Sequence, residues 1–203
     1  MSPPIPVLCL ASGSPRRREL LTQIGVVHTV RGADIDETVL PAESPRDYVV
    51  RLARRKAVAV REQGERLPVL AADTTVVLDG VVLGKPRDRE DALAMLARLG
   101  GRAHEVLTAV ALVDRRGTRE RLSASVVRMR SLTETEREWY WDSGEPRDKA
   151  GSYAIQGLGA MFIESLTGSY SAVMGLPLFE TAQLLQEAGI AWCSPTAGRG
   201  ARP

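Results

Sequence analysis

The chain has 203 residues, of which 44% are hydrophobic and 26% are charged, the balance of an ordinary globular protein. Its formal net charge of +2 is too small to indicate general nucleic-acid binding, and no apolar run is long enough to span a membrane. The N-terminal residues lack the pattern of a secretory signal, and Cys9 and Cys193 form no disulfide framework. We therefore expect a cytoplasmic protein with no nucleic-acid or membrane partner.

Short apolar runs alternate with helical patterns at the start of the chain. A strand predicted at 7–11 leads through "ASGSP" into a helix that Ser14 is expected to cap and Gly25 to end. A second strand is predicted at 26–30. Ser44-Pro45 then begins a helix that runs to about Gly64 and has an apolar line along one side.

The rest of the chain reads as strands and helices with clear turn signals. The stretch "LPVLAADTTVVLDGVVLGKP" predicts a buried strand and a hairpin that turns at Asp79-Gly80. The later predicted elements are a helix capped by Asp88 and ended by Gly100-Gly101, paired strands at 104–113 and 122–130, a short helix from the capping box of Thr133 and Glu136 through Trp139, and a last helix at about 178–188. Residues 194–203 predict a disordered tail.

The stretch "LASGSPRRREL" concentrates cations where the first strand turns into the first helix. A helix start presents unpaired backbone N–H groups, and Ser12, Gly13 and Ser14 would let that backbone approach a ligand closely. Three adjacent arginines follow, and helical geometry turns only one or two of them toward the same point. We expect a phosphate group here. The alternative is a solvated basic helix start.

Carboxylates form the second candidate feature. Asp73 interrupts an apolar strand, where an ionised carboxylate is costly to bury unless it is paired or bound to a metal. The segment "ADIDE" supplies Asp34, Asp36 and Glu37. Acids at strand ends often hold Mg²⁺ together with substrate phosphates. The alternatives are a solvated loop for "ADIDE" and, for Asp73, a carboxylate that caps backbone N–H groups.

Only three of the 27 basic residues are lysines: Lys56, Lys85 and Lys149. Because an ammonium and a guanidinium are not interchangeable, these lysines mark positions where arginine would not serve, with chance survival as the alternative. Lys56 lies within the apolar line of its helix, where a cation either reaches a polar cleft or lies at the edge. Together, cations, carboxylates and a divalent metal suit the hydrolysis of a polyphosphate. His28 and His104 are too isolated for a metal site and are expected to be structural.

Four stretches in chain order, between residues 8 and 178, resemble the Maf family of nucleoside triphosphate pyrophosphatases: "LASGSPRRRELL", "AADTTVVLDGVVLGKP", "KAGSYAIQG" and "SYSAVMGLPL". The resemblance implies an α/β fold of the two-lobed inosine-triphosphatase type, with a long mixed β-sheet, flanking helices and a central cleft. It implies one domain over 1–193. It also implies hydrolysis between the α and β phosphorus atoms with a divalent metal, Mg²⁺ or Mn²⁺, giving monophosphate and pyrophosphate.

The resemblance also implies roles for individual residues. Asp73 matches the proton acceptor that activates water, and Glu37 matches a metal- and phosphate-contacting position. As a mechanism we expect the metal to lie between Glu37 and Asp73. Lys56 and Lys85 match further metal- and phosphate-contacting positions of the catalytic set. "SYAIQG" is the form of the branch acting on dTTP and UTP, and the Gln156 amide could pair with N3–H and a carbonyl of a pyrimidine. Arg16, Thr74 and Gln156 match positions that set base specificity, and the chemistry above adds Ser12, Ser14 and Lys149 as substrate contacts.

Two other functions stay open. The family is associated with arrest of septum formation, so the chain could be a nucleotide-binding regulator without turnover. Against this, a binder has no need of a water-activating acid such as Asp73. A phosphomonoesterase would release orthophosphate, but the sequence shows no aspartyl-phosphate motif. The resemblance further implies a homodimer.

Overall fold

The computed structural model describes residues 4–192, so Cys193 and the predicted tail at 194–203 lie outside the described residues. Seven strands form one sheet: β1 (Leu8–Ala11), β2 (His28–Arg31), β3 (Val69–Leu78), β4 (Val81–Leu83), β5 (Ala103–Asp114), β6 (Gly117–Met129) and β7 (Ile163–Thr167). Their order is β2-β1-β3-β5-β6-β7, with β4 also beside β3. β1 pairs in parallel with β2 and β3, whereas the other pairs are antiparallel. The predicted long mixed sheet is therefore confirmed.

Helices flank both faces of this sheet. They are α1 (Pro15–Gln23), α2 (Pro45–Glu62), α3 (Arg89–Leu99), α4 (Glu134–Asp142), α5 (Tyr170–Met174) and α6 (Leu178–Glu187), with 3₁₀ turns at Glu145–Asp148, Ala150–Ser152 and Gly157–Phe162. Among the residues that the structure describes, none of the helices is both long and apolar enough to cross a membrane. The predicted caps at Ser44, at Asp88 and in the box of Thr133 with Glu136 are confirmed.

Alternation along β1 shows how the helices cover the sheet. Cys9 and Ala11 face the apolar line of α2, whereas Leu8 and Leu10 face α1 and α6. A strand buried on both faces reads as a continuous apolar run, which is why β1 was predictable. A third apolar cluster, beneath α3 and α4, packs on the other end of the sheet around Tyr140. The two ends form the lobes of the predicted α/β fold.

The sheet forks at β3, and this fork forms the cleft. Val69 and Leu70 pair with β1, and residues 76–78 pair with β4. β5 follows the opposite side of β3 over nearly its whole length. Within the described chain, residues 71–75 thus have no strand partner on the side of β1 and β4. The central cleft opens at this gap, around Asp73.

Several predicted bounds differ from the structure. β2 begins at residue 28 rather than 26, and β6 begins at Gly117 rather than 122 because the tight turn from Asp114 continues the ladder with β5. Ser14 is the N-cap residue of α1 and Pro15 follows it, as predicted, but among the described residues the Ser14 side chain makes no capping hydrogen bond. Instead, its backbone N–H donates to Ser12 Oγ at 3.2 Å. β7 and α5 were not predicted.

Candidate active site

A cavity of about 600 Å³ opens at the fork of the sheet. It is bounded by the loop after β1, the middle of β3, the inward side of α2 and the segment between α4 and α5. The structure places all ten candidate residues in its lining: Ser12, Ser14, Arg16, Glu37, Lys56, Asp73, Thr74, Lys85, Lys149 and Gln156. Asp34 and Asp36, by contrast, do not line this cavity. The chain thus brings together the cations and carboxylates that sequence analysis singled out.

One lysine joins the two candidate carboxylates. Lys56 Nζ lies 2.6 Å from Glu37 Oε1 and 2.6 Å from Asp73 Oδ1. Lys56 follows the apolar line of α2 inward, and its side chain is only 12% exposed, as against 9% for Asp73 and 47% for Glu37. The cluster therefore runs from the buried floor of the cavity to its open edge and joins two carboxyl groups to one ammonium group.

Burial raises the pKa of Asp73, although the neighbouring charges of Lys56 and Arg17 lower it in part. A carboxylate that is harder to ionise holds a proton more strongly. In its ionised form, which the Lys56 ammonium favours, Asp73 is therefore a better proton acceptor than an exposed aspartate. This combination of burial and one close cation is typical of functional carboxylates.

Glu37 lies on an irregular loop that α2 holds in place. The Tyr48 hydroxyl donates to the Glu37 carbonyl oxygen at 3.1 Å. Arg51 Nη2 donates to the Thr38 carbonyl oxygen at 3.0 Å, and the same guanidinium contacts Glu43 at 2.5 and 2.7 Å. Since these anchors come from successive turns of one helix, the loop is fixed against the same element that carries Lys56.

Arg17 is a site residue that sequence analysis did not select. Its guanidinium donates to the Gly175 carbonyl oxygen at 2.7 Å, to Ser12 Oγ at 3.2 Å and to Thr74 Oγ1 at 3.4 Å. The signal was present, because Arg17 lies three and four residues before Leu20 and Leu21, on the buried side of α1. Arg17 ties three walls of the cavity together.

The start of α1 forms a second wall. Arg16 lines the cavity beside Arg17, whereas Arg18 is exposed and does not. A Cβ added at Gly13 would meet no protein atom within 4 Å, so the backbone here is open toward the cavity. An anion can therefore approach the first turn of α1 closely, as helix N-termini favour.

The third wall carries the remaining candidates. Lys85 is exposed on the loop after β4, and Lys149 forms an ion pair with its neighbour Asp148. Gln156 is partly exposed and lines the cavity close in sequence to the buried Tyr153. These three side chains line the same cavity as the Glu37–Lys56–Asp73 cluster.

The donor set fits a divalent metal. Glu37 and Asp73 each place a carboxylate oxygen 2.6 Å from Lys56 Nζ, and hard oxygen ligands are those that Mg²⁺ and Mn²⁺ prefer. The described residues contain no group of three or more histidine, cysteine, aspartate or glutamate side chains that could hold a metal. Two protein carboxylates suffice where substrate phosphates and water complete the shell, which is the usual arrangement for Mg²⁺.

Comparison with known proteins finds relatives that share one name and match nearly the whole chain. The dTTP/UTP pyrophosphatase of Bordetella avium is 59% identical over 195 residues, 92% of this chain and 97% of that protein. Those of Hahella chejuensis and Methylobacillus flagellatus are 56% and 55% identical, each over 90% of this chain and 92% of that protein.

Solved structures and a family model complete the comparison. The HAM1 protein from Coxiella burnetii has a TM-score of 0.47 at 16% identity, covering 90% of this chain and all of that one. The Staphylococcus aureus Ham1 protein has a TM-score of 0.46 at 14% identity, with 77% and 79% coverage. The model of the Maf family, described as Maf-like protein, matches residues 7–188. With that match and relatives more than half identical over nearly the whole chain, this chain belongs to the Maf family.

Proposed function

We propose that this protein hydrolyses dTTP and UTP to the monophosphate and pyrophosphate, and so removes these nucleotides from the cytoplasmic pool. The observation that carries the proposal is the buried Asp73, paired with Lys56 on the floor of a cation-lined cavity. Such a group has the properties of a general base. The names of the relatives, at up to 59% identity, indicate the substrates.

The triphosphate is bound by the cations of the cavity. Arg16, Lys85 and Lys149 bring positive charge from two walls, and the backbone around Ser12 and Ser14 supplies N–H donors. These groups stabilise the charge that develops on the leaving pyrophosphate.

The base is selected by Gln156. Gln156 presents both a donor and an acceptor, which can pair with N3–H and the adjacent carbonyl oxygen of uracil or thymine. Thr74 and Arg16 line the cavity and complete the recognition of the nucleoside. Cytosine lacks the N3–H group, so an amide held in the orientation that pairs with uracil or thymine disfavours CTP.

Asp73 activates the water. Its carboxylate accepts a proton as the water oxygen attacks the α-phosphorus, the bond to the bridging oxygen breaks, and pyrophosphate leaves. The Lys56 ammonium favours the ionised form of Asp73 and holds the carboxylate in one orientation through the 2.6 Å contact. The proton on Asp73 then passes to solvent, which restores the base.

Glu37 and Asp73 would supply carboxylate oxygens to Mg²⁺ or Mn²⁺. When bound, the ion withdraws charge from the phosphate oxygens and lowers the pKa of water. Lys56 contacts both of these carboxylates, so it also limits their mutual repulsion while the site assembles. The homodimer stays a prediction.

A product assay tests the proposal. The purified protein is given Mg²⁺ or Mn²⁺ and dTTP, UTP, CTP, 7-methyl-GTP or ATP, and pyrophosphate and orthophosphate are scored separately. We expect pyrophosphate from dTTP and UTP. Pyrophosphate mainly from 7-methyl-GTP would overturn the assignment of Gln156. Orthophosphate alone would indicate a phosphomonoesterase, and nucleotide binding without any product would indicate a regulator.

A further inference from the structure

A single carboxylate outside the cavity holds the Gln156 loop, here defined as residues 154–159. Glu145 Oε2 accepts a hydrogen bond from the backbone N–H of Leu158, and Oε1 accepts one from that of Gly159, both at 2.9 Å. Glu145 does not line the cavity, so it has no contact with the space that the nucleotide would occupy.

The same carboxylate also reaches the other end of the loop through a tyrosine. The Tyr140 hydroxyl donates to Glu145 Oε1 at 2.7 Å and accepts from the Ala154 backbone N–H at 3.0 Å. Tyr140 is fully buried, with its ring edge-on to that of Phe162. Both ends of the loop are therefore tied to one point, and Gln156 lies between them.

The loop is built to lie close to this carboxylate. Gly157 has φ +63°, and a Cβ added there would collide with Glu145 Oε2. A Cβ at Gly159 would collide with the Ala154 carbonyl oxygen and meet the Tyr140 hydroxyl at 2.6 Å. Only glycine allows this approach at both positions. Burial raises the pKa of Glu145, but the hydrogen bonds from Tyr140 and the loop amides outweigh it and lower that pKa, so the carboxylate is ionised at neutral pH.

We infer that Glu145 is a positioning residue that fixes the Gln156 loop, through Tyr140 and the loop amides, in the conformation that selects the pyrimidine base. The inference rests on the base-selecting role of Gln156 in the proposed function. Glu145 acts through hydrogen bonds to the loop and does not touch substrate. A side-chain amide discriminates between bases only when it is held in place, because a misplaced amide pairs as well with the wrong base.

The chemistry explains why this position requires a carboxylate. Glu145 faces three donors: one hydroxyl and two backbone N–H groups. Glutamine has the same shape, but its NH₂ group would face at least one of these donors, so Glu145→Gln loses at least one hydrogen bond. A hydrogen bond to a charged group contributes enough that we expect about tenfold faster opening of the loop.

The first experiment measures amide hydrogen exchange without substrate. In Glu145→Gln, exchange at residues 154–159 should be about tenfold faster, while exchange in β3 is unchanged. The matched control is Glu138→Gln, which removes a carboxylate from the outer side of α4, where it pairs with Arg89 at 2.8 Å. Unchanged exchange in Glu145→Gln would overturn the inference. Tyr140→Phe removes the bridging hydroxyl alone and serves as the second variant if Glu145→Gln does not fold.

The second experiment measures base discrimination as the ratio of kcat/KM for UTP to that for CTP, which share the same sugar and triphosphate. We expect Glu145→Gln to lower this ratio about tenfold because kcat/KM for UTP falls, and we expect Glu138→Gln to leave the ratio unchanged. Faster exchange with an unchanged ratio would overturn the positioning role. If Gln156→Ala lowers the ratio in that same assay, the proposed function stands without the inference. If Gln156→Ala leaves the ratio unchanged too, both are wrong.

Discussion

His104 predicts a pH dependence of stability that can be worked out from the structure. It lies on β5, is 4% exposed, and its Nε2 is 2.7 Å from the hydroxyl of Tyr153, which lines the cavity. The rings meet edge to face at 5.3 Å. Its Nδ1 is buried and has no hydrogen-bond partner among the residues that the structure describes. Burial lowers the pKa of His104 from 6.5 to about 4, because the apolar surroundings disfavour the imidazolium.

The direction and size of this pH effect follow from the protons that the folded and unfolded chains bind at His104. Below pH 6.5 the unfolded chain takes up a proton at this residue, whereas the folded chain stays neutral until about pH 4. Stability that is fully present above pH 6.5 is therefore lost as the pH falls toward 4. The two pKa values differ by about 2.5, and each unit corresponds to about 1.4 kcal/mol, so the loss is about 3 kcal/mol.

Urea unfolding at a series of pH values between 7 and 4 measures this loss. His104→Gln keeps a polar partner for Tyr153 but cannot titrate, so its free energy of unfolding should fall by about 3 kcal/mol less than that of the unaltered chain over this range. His28→Gln is the matched control and should retain the full fall, because His104 remains. Parallel curves for the unaltered chain and His104→Gln would refute the reasoning.

Three further predictions concern the site and its supports. Asp73→Asn should lower kcat about 10²–10⁴-fold with an unchanged melting temperature, since Lys56 keeps its pair with Glu37; substantial residual activity would refute the role of a base. Arg17→Lys should raise KM for dTTP about tenfold, because an ammonium cannot reach all three of its partners; steady-state kinetics with an unchanged KM would contradict this. The Arg51 hydrogen bonds lower the pKa of Glu43 from 4.5 to about 2. The stability that the ionised Glu43 contributes is therefore present above pH 4.5 and is lost as the pH falls toward 2. Glu43→Gln should flatten the loss of stability with acid in that window, and an unchanged acid-unfolding profile would contradict this prediction.

Local sequence signals predicted the elements that have periodic patterns and caps. The apolar line of α2 placed Lys56 toward the interior, and the apolar run around Asp73 identified a buried strand with one carboxylate. β7 was missed because "IESLT" is an exposed edge strand with little apolar alternation, and its hydrogen bonds come from β6. Such a strand depends on its partner rather than on its own residues.

The site depended on contacts between distant segments. The fork around Asp73 arises because β1 and β4 pair with different ends of β3, which no local pattern reveals. The ties that hold the site also cross long stretches of chain: Arg17 reaches Gly175, and Glu145 reaches Leu158 and Gly159. Sequence analysis found the residue types that the chemistry needs. The residues that hold them in place, such as Arg17 and Glu145, depend on tertiary packing.

The central claim is that a water activated by Asp73 attacks the α-phosphorus. Hydrolysis of dTTP in water enriched in a heavy oxygen isotope, followed by mass spectrometry of both products, tests it most directly. We predict that the heavy oxygen enters the nucleoside monophosphate, with unlabelled pyrophosphate released. Heavy oxygen in the pyrophosphate would mean attack at the β-phosphorus and would contradict the account.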